Sequence, residues 1–319
     1  MNRFHSALLA VGVLLSTTPA VLAGSAEVAE RAGIIRQGIT GTSYSQELPA
    51  VARIQGTAFF RSFVSFTNNT NNTITVSYQF SYSCLSAGCS PAGGFYRTNP
   101  QTFTLPALGS FVQPDFIDYL NNQGLLQPGA NAGSFGTLLV TFTNLPSSNG
   151  WEANTVARIY NRLVEADATQ GTVGFAFNAS EFFDSADTTL VGYGHDTNTS
   201  PDVSGKIRTN VGIRNTDING TNQNMSVNIT CYDTATGQRV GTAIPFNNLQ
   251  PGELRQVSNL WAVAGIPSTV NNVVIFVDAV NPTATSPTME GYVTLIDGQN
   301  TQDAALFTML CADANGCGN

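Results

Sequence analysis

The sequence predicts an all-β protein built from two tandem antiparallel β-sandwich domains. Two observations predict this fold. The first is a strand-length motif, Phe60–Asn68, that recurs in degenerate form 147 residues later as Ile207–Asn215. Similarity at a long, fixed offset indicates one structural unit used twice. The second is a strict alternation of apolar and polar residues after each copy of the motif.

The alternation predicts strands with one buried face. After the first copy and the polar turn 68–72, five apolar residues occur at every second position: Ile74, Val76, Tyr78, Phe80 and Tyr82. After the second copy, Met225, Val227, Ile229 and Cys231 alternate in the same way. A period of two is typical of half-buried β-strands and would scatter these residues around a helix.

The remaining segments also match between the copies. Segments 116–120 and 257–261 each predict a single helical turn ending near a glycine. Segments 136–142 and 272–277 are rich in β-branched residues and predict strands. Copy one ends with strands at 156–160 and 171–177, and copy two with strands at 291–295 and 305–310. Short strands with turns about every ten residues favour an immunoglobulin-like sandwich, with a closed barrel as the alternative.

These patterns divide the chain into five segments. Residues 1–23 are predicted to be a signal peptide, because a positive start at Arg3 and an apolar run from Ala7 to Leu15 precede a cleavage pattern at Val21–Ala23. Residues 24–50 form an N-terminal leader, 51–183 the first sandwich, 184–205 a linker and 206–319 the second sandwich. The predicted location is secreted, at the cell surface or in the periplasm, with no transmembrane segment.

The composition argues against nucleic acid as a partner. Charged residues are only 11% of the chain, and Lys206 is its only lysine. Removing the signal removes Arg3 and no acidic residue, so the net charge of −8 becomes −9. Such a surface repels phosphates and offers no basic patch for them.

The five cysteines predict two local disulfides in an oxidising compartment. Cys84 and Cys89 are close in sequence, as are Cys311 and Cys317, which leaves Cys231 unpaired. A bridge between Cys231 and Cys311 on neighbouring strands is the competing arrangement, since geometry decides the pairing.

The sequence offers no assembled catalytic group, and we expect a non-enzymatic protein with no catalytic residues. His195 is the only histidine after the signal and lies in the predicted polar linker, with no nucleophile elbow in the chain. The densest acidic stretch runs from Glu152 to Asp187, but its residues are interpreted as solvated surface acids rather than a glycosidase pair.

Calcium is the one ion with a candidate site. Asp196, Asn198 and Asp202 place oxygen-bearing side chains near one another in the linker, as loops that bind hard cations do. Turn formation explains the same residue types. We otherwise expect no cofactor.

The best candidate for recognition is the insertion that begins with the Cys84–Cys89 pair. A disulfide there would stiffen the tip of a hairpin, and Phe95, Tyr96 and Arg97 follow it. Tyrosine and arginine are enriched at binding hot spots. The alternative is that these residues only begin the next strand.

Four short motifs resemble a repeat module of exported bacterial β-sandwich proteins. The module carries a strand of the type Arg-Ser/Thr-x-Val-x-Ile/Phe-x-Asn, then a glycine turn, Arg-x-Tyr and Gly-Thr-x-Gly. The matching residues are Arg61–Asn68, Leu108–Gly109, Arg158–Tyr160 and Gly171–Gly174. The resemblance covers most of copy one, but copy two lacks the last two elements. It implies a surface or secreted immunoglobulin-like β-sandwich and supplies no catalytic residues.

The predicted function is therefore that of a secreted structural or adhesive protein that acts through contacts with an extracellular protein or surface. A carbohydrate- or calcium-dependent binding module, accessory to a separate enzyme and recognising a surface glycan, is the alternative. Assembly by strand addition at exposed sheet edges is a third possibility.

Overall fold

The computed structural model of the chain describes residues 43–55, 59–91, 93–146, 152–162, 165–166, 169, 172–181, 188–196, 207–216, 223–281, 288–297 and 304–311. In these ranges the fold is all-β, with three antiparallel sheets and two short α-helices. Residues 43–181 are called the first half below, and residues 188–311 the second half. The predicted signal peptide lies outside the described residues.

The first half contains ten strands in one sheet that folds over itself. The strands are β1 (Tyr44–Gln55), β2 (Phe59–Asn68), β3 (Ile74–Cys84), β4 (Phe95–Arg97), β5 (Gln101–Leu105), β6 (Ser110–Gln113), β7 (Gly133–Thr143), β8 (Ala153–Arg162), β9 (Thr172–Asn178) and β10 (Ser180–Glu181). Their order is β4-β3-β7-β1-β2-β8-β9, with β5 paired to β3, β6 to β2 and β10 to β1. Strands β1 and β2 pair only at the end of β1, at Ile54 and Gln55. The two parts of the sheet therefore face each other as layers around one core.

The second half forms two separate sheets. Its strands are β11 (Thr189–His195), β12 (Ile207–Asn215), β13 (Met225–Asp233), β14 (Arg239–Leu249), β15 (Leu254–Val257), β16 (Asn272–Ala279), β17 (Met289–Asp297), β18 (Ala304–Thr308) and β19 (Leu310–Cys311). One sheet has the order β14-β13-β16-β11-β19, and the other β15-β12-β17-β18. A second apolar core joins them.

Both halves use the same strand order. The series β3-β7-β1-β10 of the first half has its counterpart in β13-β16-β11-β19, and β6-β2-β8-β9 has its counterpart in β15-β12-β17-β18. A short helix follows β6 and β15: α1 (Phe116–Asn122) begins at the predicted residue, whereas α2 (Leu260–Ala264) begins three residues later than predicted, because Val257 ends β15 and Asn259 is the N-cap. Asp115 caps α1 and Asn259 caps α2, each through its side-chain oxygen. The pairing pattern thus follows the repetition seen in the sequence.

The alternation of apolar residues describes the core correctly. The five alternating apolar residues of β3 are buried to 3% exposure or less, and the four of β13 are buried to 5% or less. Burying a large apolar side chain contributes about 2 kcal/mol, so these two strands supply much of the stabilisation of their cores.

The segment predicted as a linker contains a paired strand. Strand β11 pairs with β16 over seven residues, and β1 begins inside the segment predicted as a leader. Gly192 and Gly194 in β11 give the segment a loop-like sequence. A Cβ at Gly192 would press on Val293 and Met309, so glycine leaves room for side chains of the facing sheet. Tertiary packing therefore explains the glycines better than a turn does.

The hydroxyl of the repeated motif has the same function in both halves. Ser62 accepts a hydrogen bond from Ala52 N (2.8 Å) and donates to Ala52 O (3.1 Å). Thr209 accepts from His195 N (2.9 Å) and donates to His195 O (2.7 Å). In each half a buried side chain on β2 or β12 thus satisfies backbone groups of the strand that precedes it.

The asparagine that ends the motif fixes neighbouring loops. Asn68 Nδ2 donates to the carbonyl oxygens of Asn72 (2.8 Å) and Pro106 (2.8 Å). Asn215 Nδ2 donates in the same way to Gln223 (2.9 Å) and Leu249 (3.0 Å). Both asparagines are buried. The motif therefore marks structural positions, where a buried amide replaces backbone pairing at the end of a strand.

The remaining motif residues of copy one hold the segment before α1. Arg61 lies 3.5 Å from Asp115 and stacks on the Phe59 ring, with its guanidinium carbon 4.2 Å from the ring centre. Tyr160 donates its hydroxyl hydrogen to Pro114 O (3.0 Å). These contacts connect β2 and β8 to the start of α1.

Candidate functional site

A cavity of about 610 Å³ lies between the two halves. Its volume falls in the range of pockets that hold small molecules. We call it the junction cavity. It is lined by residues of both halves, so neither half forms it alone.

The wall supplied by the first half is apolar. It consists of side chains on the outer faces of five strands: Ala50, Ala52, Ile54, Phe60, Phe135, Ile159 and Phe175. Several of them pack against Leu254 and Tyr292 of the second half in a cluster separate from the two cores. Strand β1 thus buries residues on both faces, one toward its own core and one toward the junction.

The wall supplied by the second half is more polar, because the outer face of its four-stranded sheet lines the cavity. Asn210 of β12 is paired directly with Thr294 of β17, and Gly212 with Tyr292. The Tyr292 hydroxyl donates to Gln256 Oε1 at 2.8 Å. A Cβ at Gly212 would overlap the Tyr292 ring, so glycine lets this ring lie flat across β12.

The two polar residues that face each other on this sheet have different hydrogen bonding. Asn210 Oδ1 accepts from Asn259 N (3.0 Å). Thr294 is 4% exposed, and its Oγ1 has no hydrogen-bond partner within the described part of the chain.

Burial raises the pKa of the Tyr292 hydroxyl well above its usual range, so this hydroxyl stays protonated.

Next to the cavity, a buried ion pair connects the halves. Arg214 of β12 donates to Glu47 of β1, and both side chains are buried to 2% exposure or less. Glu290 Oε2 lies 3.6 Å from the same guanidinium nitrogen. Burial lowers the pKa of Arg214, while Glu290 opposes that shift. The pair links strands that are 167 residues apart in sequence.

The disulfide-bearing loop forms part of the rim. Cys84 and Cys89 are bonded as predicted, and Ser83, Leu85 and Gly93 line the cavity. Ser86 Oγ donates to Gly129 O (2.7 Å), which holds the loop against the segment before β7.

The predicted recognition residues lie beside the cavity rather than in its lining. Phe95, Tyr96 and Arg97 form β4, which pairs with β3. The Tyr96 hydroxyl donates to Ser90 O (2.8 Å), and its ring stacks on Tyr82 with centroids 5.8 Å apart. Arg97 donates to Pro251 O of the second half, and burial lowers its pKa. Arg97 therefore makes a contact between the halves.

The other cysteines agree with local pairing. Cys231 is buried with a free thiol, which excludes the competing bridge to Cys311. Cys311 is disulfide-bonded, and its predicted partner Cys317 lies outside the described residues. Burial raises the pKa of the Cys231 thiol to about 12.

The candidate calcium residues are only partly described. Asp196 is buried at the end of β11, and its N–H donates to Asn271 O (2.9 Å). Asn198 and Asp202 lie outside the described residues. Among the residues that the structure does describe, no three His, Cys, Asp or Glu side chains come together as metal ligands would.

His195 faces an amide rather than a carboxylate. Its Nδ1 lies 2.6 Å from Asn272 Oδ1, which also accepts from the Tyr193 hydroxyl. Tyr193 is about half exposed, so this group lies on an outer surface.

In the part of the chain that the structure describes, no helix is long and apolar enough to cross a membrane.

Sequence reasoning missed the junction cavity. The available signal in the sequence is the unbroken apolar run from Leu48 to Ala52, since a strand buried on both faces loses the apolar–polar alternation of a half-buried strand. That signal shows that β1 has a second packing partner but not which surface it is.

Comparisons with known proteins leave the family open. No protein-family model matches the chain, and no curated protein matches it. Among solved structures, the crystal structure of red sea bream transglutaminase is similar over 93% of this chain and 34% of that chain, at 11% identity and a TM-score of 0.15. This chain thus spans about a third of that structure's length. A TM-score so low carries no argument about fold or function.

Proposed function

We propose that the chain is an exported, non-enzymatic structural or adhesive protein that acts through contacts with an extracellular protein. Its two halves would be tandem immunoglobulin-like sandwich domains, copies of one module. The observation that carries this proposal is the shared strand order of two halves joined by a buried interface. Sandwiches of this kind are common in cell-surface proteins, where loops at the ends of the sheets make contacts.

The contacts across the junction support this role. The Glu47–Arg214 pair, the apolar contacts around Leu254 and Tyr292, and the bond from Arg97 to Pro251 all connect the halves. Such contacts would hold the loops of the two halves in fixed positions relative to each other. The protein would therefore lose less conformational entropy on binding a partner than two modules joined by a mobile linker would lose.

The contact surface that we propose is the disulfide loop that begins at Cys84. It combines a covalent bridge with anchoring to Gly129, and the Leu85 side chain, which directly follows Cys84, remains 47% exposed. A restrained loop with an exposed apolar side chain suits a complementary pocket on a partner protein. The N-terminal signal pattern and the disulfide fit an extracellular location.

The test is binding of labelled protein to washed cells of the producing organism. We expect saturable binding that is lost when the cells are treated with protease and retained after periodate oxidation or chelation. Leu85→Asp should weaken binding at least tenfold. Leu108→Asp, at another exposed leucine of the first half, should leave it unchanged.

Three outcomes would count against the proposal. Loss of binding after periodate or chelation would favour the glycan- or calcium-dependent alternative. An equal loss of binding in the two leucine variants would show that the loop is not part of the contact surface. Recovery of the native protein only in the cytoplasm would contradict the proposed extracellular role.

A further inference from the structure

We infer that copies of this chain associate head to tail, with the second half of one copy packed on the first half of the next. The surfaces that meet between copies are equivalent to those that meet at the junction within one chain. The partner is therefore a second copy of this chain. This inference goes beyond the adhesive role and does not depend on it.

The first half meets the second half through residues whose counterparts in the second half are exposed. Ala52 and His195 are counterparts, because each is bonded through both backbone groups to the hydroxyl of the repeated motif. Two residues before them stand Ala50 and Tyr193. Ala50 is 2% exposed and lies in the apolar cluster that joins the halves, whereas Tyr193 is 49% exposed. The second half thus leaves open the place that the first half covers.

The last strands of the two sheets show the same difference. Phe177 of β9 pairs with Ala157, and Phe307 of β18 pairs with Val293. Ala157 and Val293 pair in turn with the central valine of the repeated motif, so the two phenylalanines are counterparts. Phe177 packs against the cluster between the halves, whereas Phe307 is 53% exposed. We call the following residues the second-half contact surface: Val191, Tyr193, Ala305 and Phe307.

The first half exposes the counterpart of the wall that the second half places at the junction. Val156 of β8 pairs with β2 at the position where Tyr292 of β17 pairs with β12. Tyr292 is 2% exposed, whereas Val156 is only half-buried. On the neighbouring strand β6, Val112 is the counterpart of Gln256 and is 43% exposed. We call the following residues the first-half contact surface: Phe63, Ser65, Val112 and Val156.

Uncharged residues replace the buried ion pair of the junction on both contact surfaces. The strand pairing makes Val191 the counterpart of Glu47. Thr67 stands in the repeated motif where Arg214 stands in the second copy. Contact between copies would therefore bury no unmatched charge at this place, whereas replacement of only one partner would leave a costly one. The apolar side chains of both surfaces would leave water together, which favours association.

The two contact surfaces are different, so their association is heterologous. Each added copy leaves one surface of each kind free at the ends of the assembly. Such contacts generate rings when the rotation closes and open filaments when it does not. A symmetric dimer would instead use one surface of each copy twice.

The first experiment is sedimentation velocity of the purified protein over a concentration series. We expect the mean mass to rise past that of a dimer as the concentration increases. Phe307→Asp and Val112→Asp should each remain monomeric, because an aspartate would lose hydration against an apolar surface. Val263→Asp is the matched control, since Val263 is also 53% exposed but belongs to neither contact surface. It should associate as the wild-type protein does.

Mixing the two monomeric variants tests the head-to-tail arrangement. Phe307→Asp keeps the first-half surface and Val112→Asp keeps the second-half surface, so the mixture should form a one-to-one complex and nothing larger. This complex also shows that both variants are folded. Tyr193→Asp and Val156→Asp take the place of a variant whose thermal unfolding shows that it is not folded.

Four results would overturn the inference. They are a wild-type protein that stays monomeric at every concentration, a single contact-surface variant that still dimerises, a control variant that fails to associate, and folded variants that form no mixed complex. The measurements use purified protein without cells, so their outcome is separate from that of the cell-binding test.

Discussion

Buried polar side chains at repeated positions hold the ends of the strands in this protein. Asn68 makes contacts that no apolar residue of its size could replace, because its amide donates to loop carbonyls while its Oδ1 accepts from Thr70 N (2.9 Å) and Thr70 Oγ1 (2.7 Å). Asn215 takes the equivalent place in the second half. The repeated residues of the motif are therefore explained by structure and imply no shared binding site.

Replacing Asn68 by alanine should lower the free energy of unfolding by about 3 kcal/mol, since several buried groups lose their partner at once. Asn71→Ala is the control, because Asn71 is exposed in the same turn. Its effect should stay within about 0.5 kcal/mol. Denaturant unfolding of both variants measures the difference, and equal midpoints would contradict the role given to Asn68.

Cys231 should be unreactive in the folded protein. Because burial raises its pKa to about 12, the thiol stays protonated at pH 8, and the thiolate is the nucleophile. Iodoacetamide should therefore label Cys231 slowly in buffer and quickly in guanidinium chloride, as followed by mass spectrometry of the peptide that contains it. Fast labelling of the native protein would show that β13 opens readily.

At the scale of elements, the loop from Cys84 to Cys89 combines two kinds of restraint. The disulfide closes a short ring, and Leu85 N donates to Gly133 O (2.7 Å) at the start of β7. Gly88 and Gly129 pack so closely that a Cβ on Gly129 would overlap the backbone of Gly88. The rim of the junction cavity is thus held by main-chain contacts as well as by sulfur.

Removing this bridge in the double variant Cys84→Ser, Cys89→Ser should lower the free energy of unfolding by about 2 kcal/mol, as expected for closure of a short loop. Urea unfolding of the oxidised wild-type protein and of the variant gives this difference. The variant also serves as the control for reduction, because any further loss on adding reductant must come from the bridge at Cys311. A variant as stable as the oxidised protein would show that the main-chain contacts suffice.

For the whole molecule, the junction between the halves decides how they are held together. It contains a charged pair removed from water, an apolar cluster and a cavity, and all three depend on residues far apart in sequence. A buried pair contributes little net stability by itself, but the loss of one partner leaves the other charge unmatched.

Glu47→Gln should therefore destabilise the protein by about 3 kcal/mol, because Arg214 loses the buried carboxylate that it contacts directly, while Glu290 lies at 3.6 Å. The control is Glu165→Gln. Glu165 pairs with Arg61 but is 52% exposed, and exposed pairs contribute about 0.5 kcal/mol. Thermal unfolding should separate the two variants clearly. Similar Tm losses would mean that the junction is better hydrated than its burial indicates.

The sequence by itself determined the local features of this protein. Strict alternation placed β3 and β13 and their buried faces, the repeated motif predicted matching strands, and short spacing predicted the Cys84–Cys89 bridge. These features depend on neighbours in sequence, and a period of two specifies which face of a strand is apolar.

Only the tertiary structure decided the rest. It made β11 a strand in spite of its glycines, because the facing side chains need the space. It brought Glu47 to Arg214 and Arg97 to Pro251, and it opened the junction cavity between an apolar and a polar wall. A pattern of apolar residues predicts that one face of a strand will be buried, but the surface that buries it is set by how distant strands pack.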